Sequence, residues 1–159
     1  MDVLLQELSA FIPDSRQVIR ALARLLVASV VGAIIGLQRE HMHKPAGLRT
    51  HMLVALGAAV FVFVPLEVGM AFPEVSRIIQ GIATGIGFIG GGAILKLVEK
   101  HEIEGLTTAA GILLTAALGV AAGVGALGLA LMGAILAWAV LALHSKIFPH
   151  LSKKADNKE

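Results

Sequence analysis

Residues 36–50 read Gly-Leu-Gln-Arg-Glu-His-Met-His-Lys-Pro-Ala-Gly-Leu-Arg-Thr, a short polar stretch between two long apolar runs. Four of the chain's few formal charges lie here, on Arg39, Glu40, Lys44 and Arg49. Proline restricts φ and lacks an N–H, and glycine tolerates turn conformations. Pro45 and Gly47 are therefore expected to end one helix and let the next turn back, so that residues 36–50 form a polar hinge.

The composition on either side of the hinge is typical of membrane helices. Of the 159 residues, 57% are hydrophobic and only 15% are charged, whereas a soluble domain has about 25% charged residues. The chain has no cysteine, which excludes disulfides, thiolate metal sites and cysteine nucleophiles. A formal net charge of +2 is too small to indicate nucleic-acid binding. We predict an all-α integral membrane domain embedded in the lipid bilayer.

The apolar runs predict a polytopic transmembrane helical bundle of five spans. A spanning helix needs about 20 mostly apolar residues, and the predicted spans cover residues 18–37, 48–66, 78–98, 106–122 and 126–143. Residues 1–17 contain an amphipathic segment that is too short to span, so a short interfacial helix is expected there. The transmembrane domain is thus assigned to residues 18–144, and residues 145–159 form a polar cytoplasmic tail.

The distribution of basic residues predicts the orientation of the bundle. With five spans, the hinge, a second polar loop over residues 96–105 and the tail all lie on one side of the membrane. The basic residues on that side are Arg39, Lys44, Arg49, Lys96, Lys100, Lys146, Lys153, Lys154 and Lys158. Arg16, Arg20, Arg24 and Arg77 lie on or toward the other side. Because cytoplasmic loops are enriched in Lys and Arg, we expect the N-terminus outside and the C-terminus inside.

The shared side of the two polar loops predicts a functional polar cluster. Its expected members are Arg39, Glu40, Arg49, Thr50, Glu104, Thr107 and Thr108. An acid beside two arginines indicates either a structural ion pair or a cation site, and the ion pair is favoured because buried charges are normally paired. The two threonines are expected to cap the fourth span.

The sequence offers weak candidates for a metal site. Glu40 could bind Mg²⁺, which prefers oxygen ligands. His41 and His43, with His51 or His101, are an alternative set whose geometry nothing in the sequence fixes. No cofactor is predicted beyond this candidate Mg²⁺. No Walker loop, acid pair or Ser-His-Asp arrangement is present, so we expect a protein that is not an enzyme.

Two features inside the predicted spans leave alternatives open. Arg24 either extends to the headgroups, or faces the bundle and pairs with an acid. The third span is glycine-rich, which favours either a broken helix that lines a cavity or tight packing against several neighbours. The glycines concerned are Gly85, Gly87, Gly90, Gly91 and Gly92. Gly32-x-x-x-Gly36 is a further, weak signal for close helix packing.

Four ordered blocks resemble the MgtC/SapB family of bacterial membrane proteins. They are Gly32-Ala-Ile-Ile-Gly-Leu-Gln-Arg-Glu40, with Arg24-Leu-Leu before it, then Ala46-Gly-Leu-Arg-Thr50, Gly87-Phe-Ile-Gly-Gly-Gly-Ala-Ile94 and Gly105-Leu-Thr-Thr-Ala-Ala110. Three departures stand out: Gln38 replaces a frequent acid, Leu113 replaces a frequent Trp, and the chain ends soon after the fifth span. The resemblance is therefore closer to short SapB-like members that lack the soluble C-terminal domain.

The resemblance implies a multi-pass protein of the bacterial inner, or cytoplasmic, membrane. Family members are linked to growth in low magnesium and, in pathogens, to virulence, and the virulence-associated member acts as a regulator of the membrane ATP synthase. Older descriptions make the family magnesium transporters. We therefore expect a regulatory protein linked to magnesium limitation or membrane energetics, with a membrane-protein partner and a homo-oligomeric state. The alternative is a transporter or channel for Mg²⁺, another cation or a small solute, formed by oligomerisation.

Overall fold

Five helices make up the computed structural model, which describes residues 14–95 and 105–147. They are α1 Ser15–His41, α2 Leu48–Glu67, α3 Phe72–Leu95, α4 Leu106–Val124 and α5 Leu127–Ile147. The all-α prediction is confirmed for this part of the chain. Residues 1–13, most of the second polar loop and residues 148–159 lie outside the described ranges, and so does the predicted interfacial helix.

Four of the helices, α1 to α4, are long and apolar enough to cross a membrane. The apolar part of α5 described in full, Leu127–Leu143, is shorter. The fifth span therefore stays a prediction, as do the orientation of the bundle and the predicted domain limits. Helix α1 begins at Ser15, before the expected Val18, and the backbone N–H of Asp14 donates to Gln17 Oε1 over 3.0 Å at this start.

The hinge has the predicted form. Helix α1 ends at His41 and α2 begins at Leu48, with Pro45 and Gly47 in the loop between them. The backbone N–H of Lys44 donates to the Arg39 carbonyl over 3.1 Å, which closes the end of α1. The loop thus returns the chain directly alongside the helix it has left.

The core lies between α1, α2, α4 and α5 and consists largely of alanine. Its buried members are Ala28, Val31, Ile35, Ala55, Ala59, Leu118, Ala122, Ala130, Ala134 and Ala137. Small side chains let helix backbones approach closely, and packing of this kind rather than hydrophobicity drives helix association in lipid. The core is therefore one of tight backbone contact.

Glycines make the closest helix contacts, and α2 is contacted in this way by α1 on one side and by α4 on the other. A Cβ added at Gly32 of α1 would lie 2.6 Å from the His51 carbonyl oxygen, and one at Gly36 would lie 2.7 Å from Leu48 Cα. On the other side, a Cβ at Gly123 of α4 would lie 2.6 Å from the Ala59 carbonyl oxygen. The weak Gly32-x-x-x-Gly36 signal is thus confirmed, and the second glycine pair, Gly119 and Gly123, was not singled out from the sequence.

Helix α3 differs from both alternatives that its glycines suggested. It is one continuous helix through the glycine-rich run, so the broken-helix alternative is wrong for this structure. Tight packing holds at Gly90, where an added Cβ would lie 3.4 Å from Ala109 Cβ of α4. An added Cβ would meet nothing within 4 Å at Gly81, Gly85, Gly87, Gly91 and Gly92. Only 6% of the 18-residue apolar segment of α3 is buried, against 50% of the corresponding segment of α4. Most of α3 therefore faces away from the bundle.

Candidate functional site

A buried polar cluster lies where the hinge end of α1 meets the start of α4. Arg39 is 2% exposed, and its Nη2 donates to the Thr108 hydroxyl, which is also buried. These two residues are 69 positions apart in the chain. The predicted proximity of the two polar loops is therefore realised by this pair.

A second buried polar pair lies beside it, between α2 and α4. His51 is fully buried, and its Nδ1 lies 2.8 Å from Thr115 Oγ1. The Thr115 hydroxyl donates its proton to the Gly111 carbonyl over 2.8 Å. The imidazole Nδ1–H is therefore the donor to Thr115, because a hydroxyl has a single proton to give.

Glycines make the space for this imidazole. An added Cβ at Gly36 would lie 3.1 Å from His51 Cβ, and one at Gly111 would lie 3.5 Å from His51 Cε1. His51 was considered from the sequence only as a possible metal ligand, and its partner Thr115 was missed. The available signal was helical spacing, since Thr108, Gly111 and Thr115 are three to four residues apart and share one face of α4.

The cluster carries a positive charge and has spare hydrogen-bonding capacity. Arg39 Nε, Gln38 Oε1 and His51 Nε2 are buried and make no hydrogen bond within residues 14–95 and 105–147. No carboxylate of the described residues pairs with Arg39. Gln38 stands where the resembled family often has an acid, so this chain has an amide at a position where a carboxylate would offset the charge. Such a site disfavours a bound cation, because like charges repel strongly away from water.

Glu40 has a different role from the ion pair or cation site predicted for it. Its carboxylate is exposed, and Oε2 accepts the Leu48 backbone N–H over 2.8 Å. Leu48 is the first residue of α2, whose N-terminus carries unpaired N–H groups and a partial positive charge. Glu40 therefore caps the next helix across the hinge. An added Cβ at Gly47 would lie 2.9 Å from the same oxygen, which explains the glycine.

The remaining predicted members of the cluster are spread over the surface near the hinge. Arg49 and Thr50 are exposed and line a cavity of about 420 Å³ together with Glu40, Gly47 and Leu48. Thr107 is exposed and Glu104 lies outside the described residues. The prediction that the threonines cap α4 is wrong, because Gly105, with φ of 90°, occupies the N-cap position and no side chain bonds there.

The histidines of the hinge do not converge in the described structure. His41 is exposed, with Nδ1 2.7 Å from the Leu37 carbonyl, and His43 is exposed with φ of 53°. No group of three or more His, Cys, Asp or Glu side chains with metal-binding geometry occurs in the described ranges. His101 lies outside them, so a metal site that uses it stays a prediction.

Arg24 faces the bundle rather than the headgroups, which confirms one of the two alternatives predicted for it. Its partners, however, are not the acids that this alternative expected. Its Nη1 donates to the Gly123 carbonyl at the end of α4 over 2.8 Å, and its guanidinium lies 5.3 Å from the Phe63 ring centroid. A cation is favoured at a helix C-terminus and over an aromatic face. Arg24 therefore fastens α1 to the end of α4 opposite the Arg39–Thr108 contact.

Comparison with known proteins places the chain in a family. The model of the MgtC family matches residues 25–148. Protein SrpB of Synechococcus elongatus is 46% identical over 121 residues, which cover 69% of this chain and 66% of SrpB. The Escherichia coli K12 protein named putative magnesium transporter YhiD is 38% identical over 142 residues, 85% of this chain and 63% of its own.

A third relative, protein MgtC of Brucella abortus, is 43% identical over 122 residues, 76% of this chain and 50% of its own. The chain thus spans between half and two thirds of the length of these relatives. No solved structure matches the chain. The family match begins at Leu25, inside α1, and extends to the end of α5, so it includes Arg39 and Thr108, the hinge and the glycine-rich α3. This multi-pass membrane protein therefore belongs to the MgtC family.

Proposed function

We propose that the chain is a non-enzymatic regulatory protein of the bacterial inner membrane, linked to magnesium limitation or membrane energetics, that acts by helix contact with another membrane protein. One observation carries this proposal: the outer face of α3, formed by Gln80, Thr84, Gly87 and Gly91, has no cover in the described structure. Gln80 and Thr84 are exposed, and the two glycines are open. These residues lie on one side of the helix, at spacings of three or four.

Two effects, hydrogen bonding and close packing, favour a protein partner on this outer face of α3. An amide in hydrocarbon without a hydrogen bond costs about 2–7 kcal/mol, and the Gln80 side chain has no partner among the described residues. Thr84 already donates to the Gln80 carbonyl within its own helix over 2.9 Å. Open glycines allow a second helix to approach closely enough to bond such an amide. Lipid offers neither the hydrogen bond nor the close packing.

Cysteine crosslinking tests the proposed contact cleanly, because the chain has no native cysteine. A photoreactive label on Gly87→Cys in native membranes is expected to capture a membrane protein. The same label on Val140→Cys, an exposed position of α5, is the control and should not. Gly91→Leu, added to the Gly87→Cys chain, is expected to abolish the captured product. Gly87→Leu by itself is expected to abolish the growth advantage in low magnesium while the protein level stays unchanged.

Several outcomes would contradict this assignment. Identical products from both cysteine positions, or none from Gly87→Cys, would remove the outer face of α3 as a partner surface. A product of two crosslinked copies of this chain would assign the face to self-association instead. Normal growth of the Gly87→Leu strain in low magnesium would separate the face from the physiological role.

Transport of Mg²⁺ or another solute is the second candidate function. It is favoured by the name of the Escherichia coli relative, a putative magnesium transporter. The buried positive charge of Arg39, without a carboxylate from the described residues, opposes a cation path at the hinge end of the bundle. We expect Mg²⁺ flux in proteoliposomes no higher than in empty liposomes. Flux that both Glu40→Gln and Arg49→Gln abolish would establish a transporter in place of a regulator.

A further inference from the structure

An apolar groove separates α2 from α3 on the side of α3 away from its outer face. It has a volume of about 640 Å³ and is lined only by apolar residues and glycines. Its walls are Leu53, Val54, Gly57, Ala58 and Phe61 of α2 and Ile78, Gly81, Ile82, Gly85, Ile86 and Ile89 of α3. At 100° per residue, Gly85 in the groove and Gly87 on the outer face point about 160° apart. The groove is therefore a separate surface from the proposed partner contact.

The lining of the groove favours a hydrocarbon chain over water. An apolar cavity of this kind does not hold water, which needs polar partners. The groove runs along α2 from Leu53 to Phe61, a rise of about 12 Å. A lipid acyl chain is entirely apolar and matches this lining.

A polar cavity lies at the end of α2 near which this groove begins. Thr50 is exposed one helical turn before Leu53 and Val54, on the groove side of α2, and Arg49 is exposed beside it. The adjoining cavity of about 420 Å³ includes both residues. Arg49 makes no side-chain hydrogen bond or ion pair within the described residues. Glu40, the acid of this cavity, accepts the Leu48 N–H with Oε2 at the N-terminus of α2, whose partial positive charge offsets part of the negative charge of the carboxylate.

We propose that the α2–α3 groove binds one acyl chain of an anionic phospholipid, whose phosphate group is held by Arg49 and Thr50. Arginine and a hydroxyl are strong donors to phosphate oxygens. The polar cavity stands at the start of a spanning helix, which is where a headgroup lies when its tail runs along that helix. The charge of Arg49 gives the site its preference for an anionic lipid, and the glycines of the groove give room for the tail. This lipid site is independent of the proposed regulatory function.

Native mass spectrometry of the purified chain tests the lipid site. We expect phosphatidylglycerol to bind about fivefold more tightly than phosphatidylcholine, the ratio that about 1 kcal/mol per interfacial Arg gives. Arg49→Gln should remove that preference, because it should weaken phosphatidylglycerol binding more than phosphatidylcholine binding. Gly85→Leu, which fills the groove, should weaken the binding of both lipids.

Two matched variants control for charge and for added bulk. Arg77→Gln removes an exposed arginine at the opposite end of the molecule, and Gly87→Leu adds the same side chain on the outer face of α3. Both should bind the two lipids as the wild type does. Equal affinity for the two lipids in the wild type, or unchanged binding in Gly85→Leu, would overturn the proposal. So would a wild-type dimer that Gly85→Leu converts to a monomer, because a second copy would then occupy the groove.

Discussion

At the residue scale, two arginines of α1 place their guanidinium groups in different surroundings. Arg39 is enclosed and shares its buried position with Thr108, whereas Arg24 reaches a helix C-terminus and an aromatic ring. Neither has an acidic partner in the described structure. Hydroxyl and carbonyl oxygens with a neighbouring ring therefore replace the carboxylates that usually accompany charge inside a membrane.

The Arg39 contact predicts an unequal effect at two adjacent threonines. Thr108→Val removes the acceptor of Arg39 Nη2 and is expected to lower the free energy of unfolding by about 1 kcal/mol, within the range of hydrogen bonds between membrane helices. Thr107→Val alters an exposed side chain and should change it by less than about 0.5 kcal/mol. Unfolding in mixed micelles titrated with SDS measures both. Equal effects of the two substitutions would show that the contact contributes nothing specific.

The Arg24 contact predicts a difference between two arginines on one helix. Arg24→Met keeps most of the side-chain length but loses the bond to the Gly123 carbonyl and the contact with Phe63, at an expected cost of about 2 kcal/mol. Arg20→Met replaces an exposed arginine one turn earlier and should be close to neutral. The same micelle titration compares them. A neutral Arg24→Met would mean that the guanidinium is solvated by headgroups rather than fixed to α4.

At the element scale, the glycines of the five helices fall into two classes that the sequence does not separate. Gly32, Gly36, Gly119 and Gly123 lie against the backbone of α2. Most glycines of α3 contact nothing within 4 Å. The first class fixes the distance between helices in the core. The second class leaves the surface of α3 without protruding side chains at these positions.

The two classes predict effects of opposite sign for the same substitution. Gly32→Ala places a methyl group 2.6 Å from the His51 carbonyl oxygen, so α1 and α2 must separate, at an expected cost of about 1–3 kcal/mol. Gly92→Ala meets open space and should stabilise α3 by up to about 1 kcal/mol through helix propensity. Thermal unfolding in detergent measures both. Destabilisation by Gly92→Ala would indicate that another molecule already packs against that face.

At the scale of the whole molecule, α1 and α4 are fastened to each other at both ends. Arg24 and Arg39 are 15 residues apart, and so are their partners Thr108 and Gly123 on α4. Each interval corresponds to about 22 Å of helix, and the order of the contacts makes the two helices antiparallel. The hinge and the start of α4 consequently lie at one end of the bundle, with the α2–α3 loop at the other.

This arrangement makes the predicted orientation testable with single cysteines in the cysteine-free chain. His43→Cys lies in the exposed hinge, and Val68→Cys lies in the exposed loop at the opposite end. If the basic hinge faces the cytoplasm, a membrane-impermeant maleimide added to intact spheroplasts should label only Val68→Cys. It should label both in permeabilised cells. Labelling of His43→Cys alone in intact spheroplasts would reverse the orientation.

The sequence by itself determined the helical class, the hinge, the candidate spans and the family resemblance. The apolar runs place segments in the membrane, and Pro45 and Gly47 interrupt a helix. Both effects depend only on the local sequence, so they can be predicted without knowing which helices are neighbours. The sequence also predicted that Arg39 and Thr108 lie at the same end of the bundle, because alternate loops between successive spans lie on the same side of the membrane.

Only the tertiary structure decided which residues of that end meet. Glu40 caps α2 because the hinge places it 2.8 Å from the Leu48 N–H, and His51 is enclosed because glycines of two other helices approach it. Helix α3 remains continuous yet largely uncovered, which neither interpretation of its glycines anticipated. The physical reason is that a lipid-facing residue and a helix-facing residue are equally apolar. Hydrophobicity therefore assigns a segment to the membrane, while its neighbours in the bundle are chosen by shape and hydrogen bonding between distant residues.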